Sequence, residues 1–289
     1  MAGRLAVAAV ALAALASGCG DDEGDAGSSL VDPAKRPPIH SLAANPPGDG
    51  LLLGTNRGLY RIDGDTATRI PSKAETPDGS TPVGTFLAFA TDGNGLLGSG
   101  HPDRRGAVAP FLGLIRSDDE GGTWRTVSRY EFSDLHVIQA IHDRIYAYDA
   151  VLPAFLISDD GGRTWEERLG VPEPFIDFVV DPDDPDRIVA SSNQTIYDSG
   201  DQGRSWSALT GAEAARLSWE EPDSLFRVDA DGLVYQGEAE GSAWNLAGRI
   251  DGEPWELDAA DGVLYAALRD AAIVSSADRG ETWSEVFSP

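Results

Sequence analysis

One eight-residue phrase restricts this chain more than any other feature. "SDDGGRTW" at residues 158–165 returns as "SDDEGGTW" ending at Trp124, "SGDQGRSW" ending at Trp206 and "SADRGETW" ending at Trp283. The letters it keeps are those a tight turn needs. An aspartate (Asp119, Asp160, Asp201, Asp278) accepts backbone N–H bonds, and a glycine (Gly121, Gly162, Gly203, Gly280) supplies a left-handed conformation. Hydroxyls before and after (Ser117, Ser158, Ser199, Ser276; Thr123, Thr164, Ser205, Thr282) close local hydrogen bonds, and the indole (Trp124, Trp165, Trp206, Trp283) covers turn and sheet. These positions read as structural.

The spacing turns a motif into an architecture. Trp124 to Trp165 and Trp165 to Trp206 are 41 residues each, while the next 77, to Trp283, hold two units with a degenerate copy, "EGSAW", ending at Trp244. A period near 41 marks a propeller or solenoid. "LLLGTNRGLYRIDGD" from Leu51 aligns with "RIVASSNQTIYDSGD" from Arg187, so units begin near Ile39, Val83, Phe132, Phe175, Ala215 and Trp255. Each has room for four short antiparallel strands, A to D from the hub outward, and such sheets bury both faces only when stacked radially. The expected fold is an all-β, six-bladed β-propeller with the turns between the third and fourth strands.

Composition agrees: 33 Gly, 18 Pro and seven Trp favour short strands joined by turns. The single cysteine, Cys19, forbids an intramolecular disulfide, and a net charge of −26 argues against nucleic acid. Residues 1–18 read as an export signal: Arg4, then an apolar run from Leu5 to Ala16, too short for the roughly 20 residues of a membrane span. Ala16, Ser17 and Gly18 before Cys19 resemble a bacterial lipobox, which implies cleavage there and acylation of Cys19. Residues 19–38, with "GDDEGDAGSS", read as a flexible acidic tether, and 39–289 as the propeller. The expected location is the outer face of the bacterial cytoplasmic membrane, held by the lipid alone; simple secretion is the alternative.

The pattern Ser-x-Asp-x-Gly-x-Thr-Trp resembles the Asp-box, or BNR repeat, of sialidases, sortilin-type receptors, photosystem II assembly factors and certain glucanases. "DPDDPDRIVASS" (Asp181 to Ser192) is a second phrase typical of them. "LLLGTNRGLYR", "GSGHPDRR" and "LGLIRSDDEGGTW" are similar to small exported bacterial propellers labelled glycosylhydrolase-like. The resemblance spans residues 39–289 and implies the fold; it assigns no reaction, because Asp-boxes also occur in proteins without enzymatic function.

Strand order selects a face for a site. A-to-B loops share the Asp-box face, whereas B-to-C and D-to-A loops lie opposite, where two long insertions fall: an extended D-to-A connection at 71–82 and a B-to-C loop at 100–110. Three of the four histidines (His40, His101, His136) belong to that rim; His142 falls on the Asp-box side. With Asp103 and Asp134 nearby, the three are candidate ligands for zinc or copper, or ordinary hydrogen-bonded residues near the hub; no His-x-x-x-His spacing supports the metal. A sialidase-like site asks for an arginine cluster to clamp a carboxylate, a Tyr nucleophile with a Glu partner and an Asp acid; Arg104 and Arg105 in the rim loop, with Asp103, Tyr148 and Asp149, are the candidates, and the full set is not matched. "LYRID" at Leu59–Asp63 falls in strand C, away from the hub. The preferred expectation is a monomeric binding or scaffold module for a glycan, peptide or protein, with His40, His101, Arg104, Arg105 and His136 in contact; an exo-acting glycoside hydrolase and a metal-dependent activity are the alternatives.

Overall fold

The structure is a computed structural model that describes residues 30, 36–44, 46, 48–103, 109–237 and 243–289. The expected signal, Cys19, Arg104 and Arg105 lie outside them. Among the described residues every multi-residue element is a strand. The first sheet is β1 (Ile39–Ala43), β2 (Leu51–Thr55), β3 (Gly58–Asp63) and β4 (Thr66–Ile70), paired in that order and antiparallel. Four more four-stranded sheets repeat it: β10 (Leu135–Ile141), β11 (Arg144–Asp149), β12 (Ala154–Ser158) and β13 (Glu166–Arg168); then β14 (Phe175–Val180), β15 (Ile188–Ser192), β16 (Ile196–Ser199) and β17 (Ser207–Ala208). β18 (Ala215–Trp219), β19 (Leu225–Asp229), β20 (Leu233–Gly237) and β21 (Trp244–Arg249) form the next, and β22 (Pro254–Ala260), β23 (Val263–Leu268), β24 (Ile273–Ser276) and β25 (Ser284–Phe287) the last.

The second unit departs from the expected plan. β5 (Lys73–Thr76), β6 (Gly79–Thr91), β7 (Leu96–Pro102), β8 (Leu114–Ser117) and β9 (Thr123–Ser128) close on themselves. The stretch expected as a D-to-A connection folds into a hairpin: β5 pairs antiparallel with the start of β6 and runs parallel to β9, Ala74 opposite Trp124. The Thr76 hydroxyl donates to the Gly79 carbonyl (2.8 Å), and Gly79 takes φ 121°, open to glycine alone. The physical reason for closure is that β6, at 13 residues, reaches beyond β7, so its first half turns back over the outer edge of its own sheet. The molecule is thus an all-β propeller of five four-stranded blades plus one closed five-stranded sheet.

The innermost strands pack in a ring, β1 on β6, β6 on β10, β10 on β14, β14 on β18, β18 on β22 and β22 on β1. Ile39, Leu135, Phe175 and Ala215, which open four of these strands, and Val83, where β6 meets β7, are buried. Among the described residues the ring shuts without strand exchange. Leu30, inside the expected tether, is fully buried with Ile39, Tyr60, Ile273 and Phe287. Arg36 donates to the Leu30 carbonyl (3.2 Å) and to Pro289 at the far end of the chain (2.9 Å). The Ala44 N–H of the first sheet donates to Asp258 of the last (2.8 Å).

The repeated turns sit between third and fourth strands, as expected. In each, the serine hydroxyl donates to the aspartate and accepts the glycine N–H: Ser158 lies 2.8 Å from Asp160 and 2.9 Å from the Gly162 nitrogen. Thr164 donates both its N–H (2.9 Å) and its hydroxyl (2.6 Å) to Asp160. Ser117/Asp119, Ser199/Asp201 and Ser276/Asp278 copy the geometry. Trp124 is fully buried, donating to the Gly121 carbonyl (2.8 Å). Each turn also buttons onto the preceding sheet. A Cβ on Gly121, Gly162, Gly203 or Gly280 would strike Leu59, Leu114, Phe155 or Val234, and all four glycines have positive φ.

Candidate functional site

The six innermost strands enclose a channel of about 380 Å³. Its mouth on the B-to-C and D-to-A face is set by a repeated irregularity. Pairing with the second strand is interrupted at the second residue of β1, β10, β14 and β22, and near the corresponding point of β6. The bulged residues are His40, His136, Ile176, Trp255 and Gly84. A bulge re-aims a side chain out of the strand's alternation. β18 pairs without interruption and places Arg216 at the equivalent position.

His101 and His136 meet one carboxylate: their Nε2 atoms lie 3.0 and 3.1 Å from the two oxygens of Asp134. Burial raises the Asp134 pKa, but the two imidazole hydrogen bonds outweigh it and hold the group at about 2. His40, deeper in the mouth, has its pKa lowered by burial first and then by the charges of His136, Arg216 and His101. Among the described residues no set of three or more His, Cys, Asp or Glu is arranged to hold a metal ion, and two of the three candidate imidazoles hydrogen-bond Asp134 through Nε2. His142 bonds the Asp181 carbonyl (2.8 Å), far along the strand from that rim.

The channel wall holds ionisable groups that sequence reasoning missed. Arg216 donates to the Ile176 carbonyl (2.7 Å) and lies 3.7 Å from Glu256. Asp177 accepts the Leu217 and Phe178 N–H groups (2.8 Å each), and Gln139 accepts that of Val180 (2.8 Å). These side chains, with Asp258, cap the open inner edge of the neighbouring sheet, whose N–H groups have no fifth strand to pair with. Burial pushes Asp177 and Asp258 up to about 6 and Glu256 to about 8, against the pull of Arg216 on Asp177 and Glu256. At neutral pH the wall therefore offers a protonated carboxyl, a guanidinium and carboxylates in one small space. Their signal was an acidic letter inside an apolar inner strand, one in "FIDFVV" and two in "WELDAA".

The sialidase-like assignment is corrected. Tyr148 is 1% exposed and packs against Phe175 between the third and fourth sheets, its ring 5.5 Å from that phenyl. Asp149 is equally buried and organises loops, accepting the Asp134 N–H (3.3 Å), the Val151 N–H (3.0 Å) and the Arg129 guanidinium (3.4 Å). Asp103 stays at the rim, its N–H on the Pro82 carbonyl (2.8 Å) and its backbone against Gly84. Arg61 of "LYRID" reaches outward to Asp49 and Glu120.

The BNR/Asp-box repeat family matches residues 156–167. Among curated proteins none matches the chain in sequence. Solved structures share its shape. A chain of a nidogen/laminin complex has TM-score 0.62 at 13% identity, covering 82% of this chain and 92% of that one. The WD40 β-propeller domain of Doa1 has TM-score 0.60 at 10% identity, covering 88% and 84%. A GH74 xyloglucanase from Xanthomonas campestris has TM-score 0.58 at 17% identity, covering 86% of this chain and only 45% of that one. At such identities the likeness establishes fold alone. A ring of radial antiparallel sheets that repeats this turn between third and fourth strands is a BNR/Asp-box repeat β-propeller.

Proposed function

We propose that the chain is a six-bladed, lipid-anchored, extracytoplasmic propeller, the closed sheet serving as its second blade, that binds a glycan, peptide or protein partner at the face carrying the channel mouth. The second-blade assignment is supported by the meander order of β6 to β9, the bulge at Gly84 and the Asp-box at 117–124. The observation that favours binding over hydrolysis is the burial of Tyr148. A glycosidase needs its reacting groups exposed to the same sugar ring, and two of the three catalytic candidates, Tyr148 and Asp149, are a core tyrosine and a buried, loop-tying aspartate. What the mouth does offer is recognition chemistry: paired imidazoles on Asp134, the Arg216 guanidinium and a channel behind them.

The test is a glycan and peptide array probed with the purified chain beside a panel of chromogenic glycosides. Binding without turnover is expected, with affinity reduced tenfold or more in a His101→Ala/His136→Ala variant whose circular dichroism spectrum matches that of the native chain. Turnover abolished by Asp103→Asn would replace this reading with the hydrolase. For the anchor, Cys19→Ser is expected to move the protein from the membrane fraction to the soluble one, and retention in the membrane would remove the lipid from the proposal.

A further inference from the structure

Four of the five exposed large apolar side chains among the described residues, Phe132, Val151, Leu152 and Leu169, stand on one face; the fifth is Leu246. Phe132 lies between β9 and β10, Val151 and Leu152 between β11 and β12, and Leu169 just past β13. These are D-to-A and B-to-C connections, the loops that surround the channel mouth.

A single arginine gathers them. The Arg129 guanidinium bonds Ser133, Asp149 (3.4 Å) and Glu167 (2.9 Å), and its carbonyl accepts the Phe132 and Ser133 N–H groups (3.1 and 3.2 Å). Asp149 in turn takes the Val151 N–H, while the Ala150 N–H bonds the Asp134 carbonyl (2.9 Å). Phe132, the Val151–Leu152 pair and Leu169 thus project from segments fixed to one node, which also fixes Asp134 and its two histidines. The loop that carries Phe132 is held in an unfavourable conformation: Arg129 (φ 59°) and Glu131 (φ 73°) are both left-handed without being glycine. Strain of this kind persists where the surroundings impose it, and here it turns a phenyl ring, 74% exposed, into water.

Resting on the binding reading above, we propose that this patch is the docking surface for an extended segment of a partner protein with apolar side chains flanked by lysine or arginine. The apolar residues supply the contact area. Charge supplies the choice of occupant. Glu131, Asp134 and Glu167 border the patch, and its arginine, Arg129, is already committed to Asp149 and Glu167. A second copy of a chain of net charge −26 would set carboxylates against carboxylates, and an anionic bilayer meets the same repulsion.

The test uses the full-length chain and three fluorescein-labelled twelve-residue peptides: alternating Leu and Lys, alternating Leu and Glu, and alternating Ser and Lys. The Leu/Lys peptide is expected to bind at least tenfold more tightly than the others and to weaken with added salt. Phe132→Ser/Leu152→Ser should cut that affinity at least tenfold at unchanged melting temperature, whereas Leu246→Ser should leave it alone. Equal binding of all three peptides, none of any, or binding indifferent to the double substitution overturns the proposal. So do patch-dependent dimerisation in sedimentation and patch-dependent binding to phosphatidylglycerol vesicles, which reassign the surface to a second copy or to lipid. If an array ligand still binds the Phe132→Ser/Leu152→Ser protein at full affinity, the patch fails as docking surface while the binding module stands.

Discussion

Glu256 is protonated at neutral pH only because the fold surrounds it, and that has a measurable sign. Its folded pKa of about 8 lies above the ordinary value of 4.5 for a glutamate in water, so between those limits the native state holds the extra proton and stability falls as pH rises. Asp177 and Asp258 act the same way between 3.8 and about 6. Asp134, Asp160, Asp201 and Asp278, at about 2, contribute stability above pH 4 that is lost as pH falls toward 2. The melting temperature should therefore peak at mildly acidic pH, and Glu256→Gln should melt higher than the native chain at pH 8.5 while matching it below pH 5. No difference at pH 8.5 would mean that the carboxyl reaches solvent freely. Gly162 offers a second residue-scale check: a Cβ there would lie 2.1 Å from Leu114 at φ 83°, so Gly162→Ala should cost about 1–3 kcal/mol in denaturant unfolding. The box residues were legible because their chemistry is local, whereas the channel acids were not, since a lone Asp in a strand gains its meaning from a neighbour about 40 residues away.

At the scale of elements, the strands and their order were readable from turn spacing, and two connections were not. "PSKAETPDGSTP" looks like loop because Pro, Ser, Thr, Asp and Gly make up nine of its twelve letters, yet its polar strand letters pair with an outer edge rather than a core, where alternation leaves little hydrophobic trace. Phe132 reads as the start of a strand because it is apolar; the strand begins at Leu135 and the phenyl is exposed. Hydrophobicity predicts burial only when the chain has a use for it inside. The β5 arm protects β9 from pairing with other molecules, and Ala74, fully buried beside Trp124, is its anchor. Ala74→Asp should undock the arm and yield concentration-dependent light scattering under conditions where the native chain stays clear; a clear solution would show that the edge needs no cover.

For the molecule as a whole, sixfold spacing announced a ring, while its closure was invisible in the letters. The seam proved to be side-chain packing, and its N-terminal piece came from a stretch whose acidic, glycine-rich surroundings read as tether. Leu30→Ala, emptying a fully buried site in that seam, should cost about 2–4 kcal/mol, read as a fall in melting temperature, if residue 30 is part of the folded body. An unchanged melting temperature would return it to the tether. Because Arg36 touches Pro289, the body's two ends meet, and because every sheet is drawn from one continuous stretch, the circle has no privileged first member. A gene that splices those ends with a short glycine linker and opens between Arg168 and Phe175 should still encode a wheel with all its spokes, identifiable by an unaltered circular dichroism spectrum.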